Sequence, residues 1–107
     1  MNANLYVIQT DVRPAANNTN AEYRLCEGGS AHGLVFAPDA AVAEQVFSVW
    51  VQAHQWEITA IQVLLLADPQ NARGDAELER LLETARRNGV AGQIVPAAFL
   101  SAPGRAS

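Results

Sequence analysis

Between Trp56 and Ala67 the chain reads WEITAIQVLLLA, its longest apolar run rich in strand-forming residues and free of Gly and Pro. Side chains alternate across a strand, so Ile58, Ala60, Leu64 and Leu66 are expected on one face and Ile61, Val63 and Leu65 on the other. A strand apolar on both faces predicts an interior place in a sheet covered on both sides. Shorter alternating stretches predict further strands. Leu5–Gln9 reads as the first and Glu22–Glu27 as the second, with Tyr23 and Leu25 opposed to Arg24 and Cys26. Leu34–Ala37 reads as a third. Asp11–Ala21, with Pro14 and several asparagines, is expected as a turn-rich loop. Gly28–Gly33 is expected to join the second and third strands as a hairpin connection, its glycines supplying positive φ.

The period then changes to that of a helix. Asp39 after Pro38 is placed to cap a first helix. On a 3.6-residue wheel its main apolar face is Val42, Ala43, Val46, Val49, Trp50 and Ala53, with Phe47, Val51 and His54 on the flank. That arc is wider than one sheet contact requires. Asp75 caps a second helix with a narrow face of Leu78, Leu81, Leu82 and Ala85, ended by Gly89 as the C′ residue. Gly92–Leu100 reads as the last strand, with Pro96 restricted to an edge or bulge. The small residues Ser101–Ser107 are expected to fray.

The predicted order is β-β-β-α-β-α-β in one domain, residues 1–107. It corresponds to an α+β two-layer sandwich: a mixed sheet of four to five strands with both helices on one face. Right-handed β-α-β crossovers would make the last three strands parallel. Leu5-Tyr6-Val7-Ile8, Asp11-Val12-Arg13-Pro14, Ala37-Pro38-Asp39 and Trp56-Glu57 resemble a group of small uncharacterised bacterial α+β proteins. In that group a Gly precedes the Trp, where this chain has Gln55. The resemblance implies no activity and carries over no functional residue.

Composition narrows the function more than any motif does. Half the residues are apolar and 17% are charged, as in a globular domain. Every basic residue is arginine, and the lack of lysine with abundant alanine points to GC-rich bacterial coding. The formal net charge is −4, and Arg80, Arg86 and Arg87 alternate with Glu77, Glu79 and Glu83, so no nucleic-acid partner is expected. No run reaches the ~20 apolar residues of a membrane span, and no secretory leader is evident, so a cytoplasmic location is expected.

Candidate chemistry gathers around the glycines. Cys26, Glu27, Ser30 and His32 place a thiol near an imidazole, and a pocket formed by Tyr23, Cys26, His32 and Arg13 would suit a small-molecule enzyme or sensor. No thiol-enzyme, phosphate-loop or dinucleotide signature accompanies them, and Cys26 is expected to be structural. His32 and His54 lack ligand-spaced partners, so neither metal nor cofactor is expected. The leading expectation is a non-enzymatic protein acting through an apolar interface, as a homodimer or with a protein partner. Its anticipated interface residues are Phe47, Val51, Ile61, Val63 and Leu65. The acidic charge also predicts no tight, salt-sensitive band in a gel-shift with DNA or RNA near physiological ionic strength; such a band would overturn the electrostatic reading.

Overall fold

A computed structural model of the chain describes residues 3–19 and 28–96. The elements run β1 (Asn4–Pro14), β2 (Gly29–Ala37), α1 (Ala40–Ala53), β3 (Trp56–Leu66), a 3-10 turn (Pro69–Ala72), α2 (Ala76–Asn88) and β4 (Val90–Pro96). The four strands form one sheet in the order β3-β1-β2-β4. The α+β class and a four-stranded sheet with two helices follow the expectation. The extra strand expected at Glu22–Glu27 and the tail at Ser101–Ser107 lie outside the described residues.

Several finer expectations are corrected. All three strand pairings are antiparallel, so the sheet is not mixed. β2 and β3 both run antiparallel to β1, and are therefore parallel to each other, but β1 lies between them. The β2–α1–β3 crossover thus skips a strand and leaves no parallel neighbours. The expected loop from Asp11 is instead the continuation of β1, whose alternation runs to Pro14. The expected glycine turn is a strand: Gly29 to Ala37 pairs with both β1 and β4.

The helices cover opposite faces, so the architecture has three layers rather than two. Tyr6, Ile8 and Val12 pack with Ala43, Phe47 and Val51 of α1. Leu5 and Leu34 pack with Leu82 and Ala85 of α2, with Val7 and Phe36 beside them. Successive residues of β1 point to opposite faces, which assigns one helix to each side.

On the α1 side the close contact is made by glycine. A Cβ on Gly33 would lie 2.3 Å from the Ala91 carbonyl oxygen and 2.7 Å from Phe47 Cε1. One on Gly92 would lie 3.0 Å from Trp50 Cη2 and 3.2 Å from Phe47 Cε1. Gly33 and Gly92 are register partners, so their missing side chains form one depression across β2 and β4. Phe47 fills it and has no exposed surface. Gly33 is explained by this approach, and no described glycine of Gly28–Gly33 takes a positive φ. Trp50 stacks on Phe47 with ring centroids 5.3 Å apart.

The helix ends follow local chemistry. The Asp39 carboxylate accepts from Val42 N–H at 2.9 Å, and the Asp75 carboxylate from Glu77 and Leu78 N–H. Gly89 ends α2 in the left-handed region at φ +88°. Gln55, after α1, takes φ +69°, the one positive-φ non-glycine residue among those described. Its carbonyl accepts from Ala15 N–H at 2.9 Å and from Asn18 Nδ2 at 2.8 Å. Its side-chain oxygen accepts from Thr19 N–H and from Thr19 Oγ1. Those bonds tie the end of β1 to the end of α1 and offset the left-handed backbone cost.

Replacing Gly33 by Ala is expected to lower stability by about 1–3 kcal/mol, the usual range for forced overpacking. Urea unfolding measures it, and an unchanged midpoint would show that Phe47 does not rest on Gly33.

Candidate functional site

β3 is an edge strand, which corrects its expected interior place. It also carries two irregularities. Val63 pairs with Gln9 and Ile61 with Thr10, leaving Gln62 extra; Ala60 pairs with Asp11 and Ile58 with Val12, leaving Thr59 extra. Each extra residue resets the alternation. Partners in register share a face, so Trp56, Ile58, Ile61, Leu64 and Leu66 follow the α1 side with Pro14, Val12, Thr10, Ile8 and Tyr6. Ala60, Val63 and Leu65 follow the α2 side. The two faces read from strict alternation are therefore rearranged.

The strand is only partly covered. Ile61 is 38% exposed, Leu65 62% and Leu66 66%. Val63 is half-buried. Leu66 is not among the anticipated interface residues; strict alternation sets it with Ile58, Ala60 and Leu64, on the face opposite Ile61, Val63 and Leu65. Phe47 and Val51, anticipated at an interface, are fully buried against the sheet. They belong to the core. With both helices on one face the other would lie bare, but each face carries a helix. The apolar surplus is concentrated at the β3 edge instead.

The small-molecule pocket anticipated near the glycines does not assemble from its described members. Tyr23 and Cys26 lie outside the described residues. His32 is half-buried on β2 and pairs in register with Gln9 on one side and Gln93 on the other. This row lies on the α2 side of the sheet. Arg13 is on the same face of β1, four positions beyond Gln9 and roughly 13 Å along the strand. There its guanidinium Nε donates to the Glu57 carboxylate as an exposed ion pair. Between the two rows Asp11 accepts from Gln62 Nε2 at 2.7 Å. The region is a polar, solvated half of a sheet face, which antiparallel sheets commonly present to water.

Ser30 pairs with Asp11 and sits one row from His32, but among the described residues no hydrogen bond joins a nucleophile to a base there. Among the described residues no three His, Cys, Asp or Glu side chains gather in a way that would hold a metal ion. No described helix is long and apolar enough to cross a membrane. No protein-family model, curated protein or solved structure matches the chain.

The separation of Arg13 from His32 has an energetic consequence. Arg13→Ala and His32→Ala are expected to be additive within ~0.5 kcal/mol, as for sites more than ~7–10 Å apart. Urea unfolding of the two single variants and the double variant measures this, and a larger coupling would place the two side chains in one site.

Proposed function

We propose that the protein acts through an interface rather than by catalysis, as a homodimeric binding module of immunity or inhibitor type in the cytoplasm. The observation that carries the reading is the pair Leu65 and Leu66, both largely exposed at the end of an edge strand. Edge strands are usually protected against pairing by Pro, Lys, charge or bulges. β3 has no Pro or Lys, and its single charge, Glu57, is held by Arg13. Its two extra residues distort the half that begins at Trp56, but Val63–Leu66 pairs with β1 without interruption. The regular half is thus also the exposed apolar half.

Antiparallel pairing of that segment with the same segment of a second copy would join two sheets across a two-fold axis, the commonest symmetry of soluble oligomers. It would cover Leu65 on one face and Leu66 on the other. Burying the exposed part of each leucine contributes on the order of 1 kcal/mol, at the usual value per area of apolar surface. The strand's outward N–H and C=O groups would be paired at the same time.

Sedimentation equilibrium tests the reading. A dimer is expected at high micromolar concentration, and Leu65→Glu or Leu66→Glu should give folded monomer, because both side chains are already solvent-exposed and the charge costs little within one chain. A monomeric wild-type protein would overturn the homodimer. A Glu variant that is folded and still dimeric would exclude the β3 edge.

A further inference from the structure

A cavity of about 260 Å³ opens between the end of α1 and the sheet, lined by β4 and by Trp56 at the start of β3, ten positions from Leu66. Trp50, His54 and Trp56 form its aromatic walls, and Gly92, Ile94 and Pro96 its β4 side. Three features make it more than a packing gap. The first is rigidity: the Trp50 indole is stacked on the fully buried Phe47, and its outer edge lies over the bare backbone of Gly92. The second is the fixed imidazole. His54 Nδ1 lies 2.8 Å from the Trp50 carbonyl oxygen, and its ring centroid 4.3 Å from that of Trp50.

A carbonyl only accepts, so Nδ1 is the donor in that contact. The neutral ring then has its lone pair on Nε2, the nitrogen left for a ligand. The third feature is the absence of charge: the described lining residues include the Gln93 amide but no carboxylate, guanidinium or ammonium group.

These features select a chemistry. The half-buried Trp50 indole and the exposed His54 imidazole, with the buried Trp56 behind them, suit a planar ring by edge-to-face or offset contact. The lack of charged walls favours a neutral molecule. His54 is exposed at the cavity rim, so a ligand with its own N–H or O–H donor can gain a hydrogen bond to Nε2 that a purely hydrocarbon ring lacks. The volume lies below the roughly 300–1,000 Å³ typical of sites for drug-sized molecules, which limits the ligand to one or two fused rings. We propose that the Trp50–His54–Trp56 cavity binds a small, neutral, planar aromatic molecule that donates a hydrogen bond to His54 Nε2. The site shares β3 with the proposed dimer edge through Trp56, but includes none of the segment Val63–Leu66 and does not depend on that edge.

Indole and 1-methylindole are suitable probes, because they share a ring system and differ in the N–H donor. In a ¹⁵N-correlated NMR titration of the full chain, indole should shift the side-chain N–H signals of Trp50 and Trp56 and the Gly92 amide. 1-Methylindole should bind roughly three- to tenfold more weakly, the factor set by one net hydrogen bond. His54→Phe keeps a ring over Trp50 and removes the acceptor, so it should abolish the preference while leaving 1-methylindole binding in place. No localised shifts with millimolar indole would overturn the site. Equal affinity of the wild-type protein for both probes, or a preference that survives His54→Phe, would overturn the role of His54.

Discussion

The contact of Phe47 with Gly33 and Gly92 is the constraint on which much of the architecture depends. Two glycines opposite each other on β2 and β4 leave a depression that only a close-lying aromatic ring fills. Phe47 therefore determines how deeply α1 sits and how it is rotated about its axis. The row Ala43, Phe47 and Val51 faces the sheet as a result, and Val49 is turned outward. Trp50 is drawn over Gly92 and stacks on Phe47. The same rotation brings His54 over Trp50 and forms the aromatic cavity beside β4. Core packing and the candidate ligand site are thus two consequences of one approach.

Strand order is the second constraint. With β1 and β2 paired at the centre, β3 and β4 occupy the edges. α1 crosses one face to bring the chain from β2 past β1, and α2 crosses the other to bring it from β3 to β4. Each face receives a helix, but neither helix covers the whole sheet. On the α2 side, the Gln9–His32–Gln93 row and the Arg13–Glu57 pair lie on a polar part of the face. On β3, Leu65 and Leu66 remain outside the cover of both layers. An antiparallel sheet accepts water on one face readily; an apolar edge is the feature that asks for a partner.

Local signals in the chain were accurate. Asp39 and Asp75 cap the helices as their positions before apolar periodic segments indicate, and Gly89 takes the left-handed conformation expected after α2. The narrow apolar stripe of α2 is legible in part, with Leu82 and Ala85 buried and Leu81 half-buried, while Leu78 at its start is 37% exposed. The burial of α1 departs from its helical wheel, because the apolar arc is broad and more than one rotation suits it: Ala43, Phe47 and Val51 are buried and Val49 is exposed. The depression at Gly33 and Gly92 selects among them. The glycine stretch itself was misread as a turn, since a glycine needed for positive φ and one needed for close approach look the same in a sequence. Of the candidate site residues, Arg13 and His32 are on the same sheet face but apart, a separation set by register.

By itself the sequence determined the α+β class, one strand between two helices, the helix caps and the inward face of α2, because each depends on neighbours within a few turns or on a sustained period. Tertiary structure decided the antiparallel order, the edge position of β3, the two extra residues that reset its alternation, and the exposure of Leu66. Those features depend on which distant strand offers its hydrogen-bonding edge and on how a ring fits a gap between two strands. Apolar side chains that belong at an edge or in an interior are chemically alike, and only the cover supplied by the rest of the chain distinguishes them.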